Sequence, residues 1–421
     1  MERFAELPIH PQLKENLAHA KFVNPTPIQA KAIPPALAGN DVLGTAQTGT
    51  GKTLAFMIPI IEKIMHSGGK GIEALVILPT RELAMQVEDT CRRIGRGSRI
   101  NSALVVGGLS EGRQIDAIRR GAQIVIATPG RLDDFIKRRM IDLHTVKILV
   151  LDEADRMVDM GFLPQMKSIM AALPSEKQTL CFSATLEKSV AHLVHQYLKN
   201  PVRVEVGSTQ KPAENVALYV YEVSREQKLG LLTHLLNHNP GTFLIFTRTK
   251  HGADRLARKL SKAGIHAGVI HGDRSQSQRS AALHGFKQGR PRILVATDVA
   301  ARGIHVHGIS HVVNFDLPQV PEDFIHRVGR TGRAEHTGVA STFVTRDDVY
   351  DMYEIEHLLG KPIDRMPIPE GIPLETFTPR DTRAENAGRG FKRGTLSKGV
   401  RVTGFRPRSR GRGRFSNFRT R

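Results

Sequence analysis

The sequence predicts an α/β protein made of two similar parallel-sheet units in series, each covered by helices, and a basic tail. Three observations carry that expectation. Short runs rich in Val, Ile and Leu alternate with amphipathic stretches from about residue 74, the alternation restarts after about residue 216, and the composition changes near residue 376. Runs that stay apolar along their whole length indicate strands buried on both faces, as in a parallel sheet sandwiched by helices.

In the first unit the strand candidates are ALVIL (74–78), SALVV (102–106), QIVIA (123–127), KILVL (147–151) and QTLCF (178–182), with helical patterns such as ELAMQVEDTCRRIGR and EGRQIDAIRRG between them. The second supplies ALYVYEV, TFLIF, HAGVI, RILVA, HVVNF and VASTFV, interleaved with patterns such as HGADRLARKLSKAG. Between them GSTQKPAEN (207–215) has turn formers and no apolar period, which marks a linker. The expected boundaries are 1–206 and 216–370 for the units, 207–215 for the linker and 371–421 for the tail. From Thr376 onward fourteen Arg and Lys face only Asp381 and Glu385, and the apolar residues include isolated Phe377, Phe391, Phe405, Phe415 and Phe418. Such a segment cannot bury a core and is expected to be disordered. Its arginines and phenylalanines suit nucleic-acid contact better than mere solubilisation.

Of the 421 residues, 40% are hydrophobic and 24% charged, which excludes wholesale disorder, a collagen-like chain and a disulfide scaffold. Lys and Arg outnumber Asp and Glu by 61 to 41, a formal charge of +20, and that favours a polyanionic partner, nucleic acid or an anionic membrane. A membrane would need an anchor, yet the best apolar stretch, Leu54 to Met65, is short and carries Pro59 and Glu62; no membrane partner is expected. The start MERFAELPIH lacks the pattern of an export signal, and two cysteines, Cys91 and Cys181, are too few for a disulfide framework. A cytoplasmic location is expected.

Ala46-Gln47-Thr48-Gly49-Thr50-Gly51-Lys52-Thr53 has the spacing of a phosphate-binding loop, with alanine at the usual first glycine, and the helical pattern LAFMIPIIEKI follows it. Gly49 and Gly51 let backbone N–H groups face phosphate oxygens, Lys52 reaches the β and γ phosphates, and Thr53 can ligate magnesium. About a hundred residues on, the run Ile148–Leu151 ends in Asp152-Glu153-Ala154-Asp155. Carboxylates where a buried strand meets solvent can hold magnesium through Asp152 and orient or deprotonate water through Glu153. In the second unit His326-Arg327-Val328-Gly329-Arg330-Thr331-Gly332-Arg333 repeats arginine at spacing three. Beside a nucleotide site these can stabilise charge on a transferring phosphoryl group, which requires the two units to close. His305, His307 and His311 straddle an apparent loop and strand without a nearby cysteine, which disfavours a metal site, and Ser183 has no identifiable base, so hydrogen bonding suits it better than nucleophilic attack.

Taken in order, these motifs resemble those of the DEAD-box RNA helicases over about residues 4–345. The resemblance rests on Phe22, Pro25-Thr-Pro-Ile-Gln29, AQTGTGKT, Pro79-Thr-Arg-Glu-Leu-Ala84, Gly107-Gly108, Thr128-Pro-Gly-Arg131, Asp152 to Asp155 and Ser183-Ala-Thr185 in the first unit. The second adds Ile245-Phe-Thr-Arg248, Gln276-Ser-Gln-Arg279, Ala296-Thr-Asp-Val-Ala-Ala-Arg-Gly303 and HRVGRTGR. It implies two RecA-like domains with ATP and Mg2+ in the cleft between them, adenine stacked on Phe22 and read by Gln29, a ribose contact from Asp298, and γ-phosphate arginines Arg330 and Arg333. It makes Ser183, Thr185, Asp155 and His326 the coupling between hydrolysis and strand separation. RNA contacts carry over to Thr80, Arg81, Gly108, Thr128, Arg131, Arg248, Arg279, Thr297 and Gly303, mostly through the backbone of the strand, hence with little sequence specificity. Lys21 departs from the family, which usually has glycine before the aromatic. Gly161-Phe162 after Asp155-Arg-Met-Val-Asp-Met looks most like the bacterial rRNA-helicase type.

The expectation is an ATP-dependent RNA helicase, with a core acting as a monomer, in ribosome assembly or RNA turnover and recruited to ribonucleoprotein assemblies. A DNA-acting relative of the wider superfamily and a passive RNA chaperone are the alternatives; intact Lys52, Glu153, Arg330 and Arg333 oppose the second.

Overall fold

A strand that meets helices on both faces has no cause to alternate polar with apolar residues, and its successive side chains enter different cores. The computed structural model describes residues 2–46, 50–68, 71–185, 188–206, 215–301, 306, 308–332 and 337–375, without the side chains of Lys188, Ser189 and Val299. Its first sheet contains β1 (Val42–Ala46), β2 (Ala74–Ile77), β3 (Ser102–Val105), β4 (Ile124–Ala127), β5 (Ile148–Asp152), β6 (Gln178–Ser183) and β7 (Val202–Val206). Every pairing is parallel, in the order β3-β4-β2-β5-β6-β1-β7. In β2, Ala74 and Val76 join the core beneath the helices Pro27–Leu37, Lys52–Ser67 and Arg81–Ile94, while Leu75 and Ile77 join the one beneath Pro129–Lys137 and Leu163–Ala171. Only the edge strands β3 and β7 carry residues that are not fully buried, half-buried in β3 and exposed in β7.

The second sheet repeats the plan with β8 (Val216–Glu222), β9 (Thr242–Phe246), β10 (Gly268–Ile270), β11 (Ile293–Ala296), β12 (Ile309–Asn314), β13 (Gly338–Val344) and β14 (Asp364–Arg365). It too is parallel throughout, in the order β10-β11-β9-β12-β13-β8-β14. Leu244 and Phe246 enter one core, Phe243 and Ile245 the other. Both sheets lie within one compact unit, Met1–Glu375. The expected linker, apart from Asn215, and the tail from Thr376 lie outside the described residues. The helix Lys52–Ser67 contains the apolar stretch around Pro59; its Glu62 is buried and accepts from the His10 N–H at 2.8 Å. Among the described residues no helix is long and apolar enough to cross a membrane. Cys91 and Cys181 are free and buried, and burial pushes each thiol up to about 12.

The alternation of runs does not announce β1, β7 or β14. In β1 the sequence VLGTA carries Gly44, where a Cβ would stand 2.5 Å from Phe182 Cδ1 on β6. Close strand packing here requires the glycine, which dilutes the apolar signal.

Candidate functional site

Parallel strands send their C-terminal ends to one edge, and ligands gather there. The strand order sorts the candidate residues into two groups. Neighbours β5, β6 and β1 lead into the acidic turn, Ser183-Ala-Thr185 and the phosphate loop; neighbours β2, β4 and β3 lead into Thr80-Arg81, Thr128 and Gly107-Gly108.

At the phosphate loop, β1 ends at buried Ala46, and Gln47, Thr48 and Gly49 lie outside the described residues. Thr50 and Gly51 precede the helix that begins at Lys52, with Gly51 at φ 90° in the left-handed region that favours glycine. Lys52 is buried and its Nζ donates to the Ala46 carbonyl at 3.0 Å, folding the ammonium back across the loop; Thr53 is half-buried behind it. Gln29 ties the preceding helix to the loop: its Nε2 donates to Gly51 O at 2.8 Å and its Oε1 accepts from Thr26 N–H at 2.8 Å. Half-buried Phe22 has the Arg93 guanidinium 5.7 Å from its ring centroid.

The acidic turn is a strained part of the site. Glu153 has φ 53° and ψ 52°, a left-handed conformation that a non-glycine residue adopts at a cost. Its N–H donates to Asp152 Oδ1 at 3.0 Å. Burial, and then the negative charge of Glu153 and Asp155, push the Asp152 carboxyl up to about 7 against the opposing pull of Lys52. Asp155 joins this turn to β6: its Oδ2 accepts from the N–H groups of Ala184 and Thr185, both at 2.9 Å, and from Thr185 Oγ1 at 3.3 Å. Its own N–H donates to Ser183 Oγ at 3.3 Å, so the serine acts as a hydrogen-bond acceptor.

In the second sheet the arginines take different jobs. Arg327 ends the helix Pro321–Val328 and turns inward: Nε and Nη2 donate to the two oxygens of Asp298 at 2.5 and 2.7 Å, and Nη1 to Asn314 Oδ1 and Asp316 O. Asp298, expected to meet a ribose, is thus held by Arg327. Arg330 lies past the helix end, buried, with Nε donating to His326 O at 3.3 Å. His326, Arg330 and Asp298 line a cavity whose other wall is Arg156, beside the acidic turn. Arg333 and Gly303 lie outside the described residues. So do His305 and His307, whereas buried His311 donates to or accepts from Ser341 Oγ at 2.8 Å.

The other group is basic. Thr80 caps the helix Arg81–Ile94 by accepting from Leu83 N–H, and buried Thr128 stands before the helix Pro129–Lys137. The Arg81 guanidinium lies so close to Gly108, φ 76°, that a Cβ there would stand 2.2 Å from its Nη1. Burial, and then the nearby guanidinium groups of Arg279 and Arg131, hold Arg81 below its ordinary value against the pull of Glu82. Arg131 is paired with Glu111 at 2.9 Å. From the second sheet, Arg279 Nη2 reaches Glu82 Oε2 at 2.8 Å, Arg248 Nη2 reaches Asp348 Oδ1 at 3.3 Å, and half-buried Thr297 follows β11. Crowded cations of this kind suit a phosphate backbone.

Sequence reasoning passed over Glu82. Its carboxylate also accepts from Gln276 Nε2 at 3.1 Å and so bridges the sheets through residues 194 positions apart. Glu82 and Gln276 each belong to one of the family's motifs, but no local spacing reveals a pair so distant.

Known proteins agree with this geometry. The DEAD/DEAH box helicase family matches residues 26–193, and the helicase conserved C-terminal domain matches residues 227–335. The chain is 44% identical over 367 residues to the DEAD-box ATP-dependent RNA helicase CshA of Bacillus licheniformis, covering 87% of this chain and 75% of that protein. It is 43% identical to CshA of Bacillus subtilis, covering 87% and 74%. These names lend no support to the rRNA-helicase subtype. Among solved structures, S. cerevisiae Dbp5 bound to RNA and ADP BeF3 superposes with a TM-score of 0.80 at 30% identity, over 92% of this chain and 99% of that one. Mss116p bound to single-stranded RNA and AMP-PNP gives 0.78 at 26% identity, over 86% and 78%. With two RecA-like domains and motifs and relatives that agree along most of its length, this chain belongs to the DEAD-box ATP-dependent RNA helicases.

Proposed function

We propose that ATP is hydrolysed with Mg2+ in the cleft between the sheets, and that closure of the cleft bends single-stranded RNA and parts short duplexes. What carries this reading is that Arg156, directly after the acidic turn that follows β5, and Arg327 and Arg330, after β12 and far away in sequence, line one cavity. Lys52 would exchange the Ala46 carbonyl for β and γ phosphate oxygens, with the backbone around Ala46, Gln47, Thr48, Gly49, Thr50 and Gly51 cradling them. Phe22 stacks adenine. Gln29 keeps a second N–H and a second lone pair for its edge. Glu153 orients or deprotonates the attacking water, and Arg330, with Arg333, meets the γ phosphate once the cleft closes.

The donors fit Mg2+, a hard cation that prefers oxygen. Asp152 is a buried carboxylate that burial pushes up to about 7, a cost that a bound dication reverses, and the Thr53 hydroxyl belongs to the same loop. Bound there, Mg2+ would neutralise charge on the phosphates. Asp155, through Ser183 and Thr185, passes the state of the nucleotide to the neighbouring strand, and His326 faces the same cleft. Phosphate contacts by the basic group explain binding with little sequence preference. In this reading the protein works as a monomer in the cytoplasm, within ribonucleoprotein assemblies concerned with ribosome assembly or RNA turnover.

The test is ATP hydrolysis measured alone, with RNA and with DNA. RNA should stimulate turnover and DNA should not, and Lys52→Ala should reduce the stimulated rate on the order of 10²-fold or more. Equal stimulation by DNA would favour a DNA-acting motor; strand annealing without turnover would favour a passive chaperone.

A further inference from the structure

The helix Arg81–Ile94 begins in the basic group and ends at an open cavity of about 410 Å³, whose lining includes Arg92, Arg96 and Arg99 and no carboxylate. None of the roles above involves these arginines. The loop that carries two of them is built firmly. Buried Asn16, on the helix Pro11–His19, donates through Nδ2 to the carbonyls of Ile94 and Arg96 at 2.8 and 2.7 Å, and the Ser98 N–H donates to Gly95 O at 3.1 Å. Gly97 and Arg99 are both left-handed, at φ 77° and 58°. Glycine takes that conformation freely and arginine resists it, so a long cationic side chain is kept where the backbone alone favours none.

Arg92 is paired with Glu88 at 2.7 Å. The guanidinium groups of Arg96 and Arg99 are exposed and make no ion pair or hydrogen bond among the described residues. Guanidinium groups gathered on one cavity without a carboxylate in its lining suit a polyanion. Which polyanion follows from the cavity's place. The helix has 14 residues, so its two ends stand about 20 Å apart at roughly 1.5 Å per residue. β3 runs between the same two places, from Ser102 at the cavity to the turn at Gly107-Gly108 in the basic group. It ends the sheet order, so no further strand covers the path. A nucleic-acid strand lying on the basic group and continuing past Gly108 reaches the cavity within about six nucleotides at roughly 3.4 Å each.

We propose that the cavity lined by Arg92, Arg96 and Arg99 is an accessory phosphate site for RNA that extends beyond the cleft. It holds the flanking strand through backbone contacts, adding affinity without sequence preference. The inference rests on reading the basic group around Arg81 as the place where RNA lies.

Arg96→Gln, and the double variant with Arg99→Asn, test it in the full chain. Both changes fall on exposed side chains and asparagine accepts a left-handed backbone, so both proteins should melt as wild type does; Arg96→Gln carries the test by itself if the double variant melts lower. Oligouridylates of about 6 and about 20 nucleotides are the probes, the first too short to span both sites and the second long enough. For the longer strand, losing two phosphate contacts should lower the logarithmic salt slope by about 1.4 and the affinity about tenfold at about 0.15 M salt, with Arg96→Gln alone giving half of the slope change. The shorter strand should bind the variants as it binds wild type. Equal slopes and affinities on the longer strand would remove the site, and an equal loss on both lengths would show that the arginines form no separate site. Loss of polyglutamate binding with RNA binding intact would give the cavity to an acidic protein segment instead. Arg81→Gln checks the underlying reading: if it binds the shorter strand as tightly as wild type does, RNA does not lie on the basic group, and the accessory site falls with that reading.

Discussion

Lys21 takes a left-handed backbone, φ 63°, immediately before Phe22. The family's usual glycine adopts that conformation freely, whereas an L side chain resists it by roughly 1–2 kcal/mol. The local geometry is therefore kept and the lysine bears the strain. Lys21→Gly should stabilise the protein by about 0.5–1 kcal/mol, part of the relief being offset by the freer unfolded chain; urea denaturation measures it, and a loss of stability would contradict the strain. His311 is a second residue with a measurable signature. It stacks on Phe243 at 4.7 Å between ring centroids, and burial pushes its pKa down to about 4 from the usual 6.5. The folded chain keeps it neutral while the unfolded chain protonates it near its ordinary value. Its contribution is therefore whole above pH 6.5 and is lost as pH falls toward 4, on the order of 2–3 kcal/mol. His311→Gln should flatten the decline of melting temperature over that window; an unchanged profile would show that other groups govern it.

Among the elements, β1 bears most directly on the site because its end launches the phosphate loop. A Cβ on Gly44 would stand 2.5 and 2.6 Å from the Phe182 ring, which is buried between β1 and the helix Lys52–Ser67 and tilted against Phe56 at 5.7 Å. That ring has nowhere to retreat. Gly44→Ala should cost about 1–3 kcal/mol by overpacking and, by displacing β1, weaken ATP binding. A variant that melts like wild type would show slack between β1 and β6. The helix Arg81–Ile94 shows the same economy: its first turn supplies Arg81 to the basic group and Glu82 to the bridge with Gln276 and Arg279.

For the whole molecule, charge is unevenly distributed: fourteen Arg and Lys fall in residues 376–421 against Asp381 and Glu385, a net +12 of the chain's +20. None of the phosphate-loop or acidic-turn residues lies there, nor do Arg327, Arg330 and Arg333. Deleting 376–421 should therefore lower RNA affinity and salt sensitivity while leaving RNA-saturated ATP hydrolysis nearly unchanged. For each phosphate that the shortened protein no longer neutralises, the logarithmic salt slope should fall by about 0.7 for a single strand. RNA titrations at several salt concentrations read the slope; equal slopes would make the tail a solubilising appendage, and a lost maximum rate would place it in the active unit.

The sheets and the chemical cast of the site were legible in the chain because their signals are local. A strand covered on both faces must be apolar throughout, as ALVI at β2 and TFLIF at β9 are, and a loop that meets phosphate needs glycines at fixed offsets. Strands whose burial is partial or whose packing demands glycine, β7 and β1, lose that signal. The sequence also brought Arg327, Arg330 and Arg333 forward as one repeating series, whereas the fold turns Arg327 onto Asp298 and Asn314 and leaves Arg330 at the cavity. Likewise Glu82 looks like an ordinary helix-start residue until Gln276 and Arg279 come opposite it. Residue type and spacing determine which groups are available; which pair forms depends on burial and distance, and those exist only once two sheets built from separate stretches of chain stand face to face.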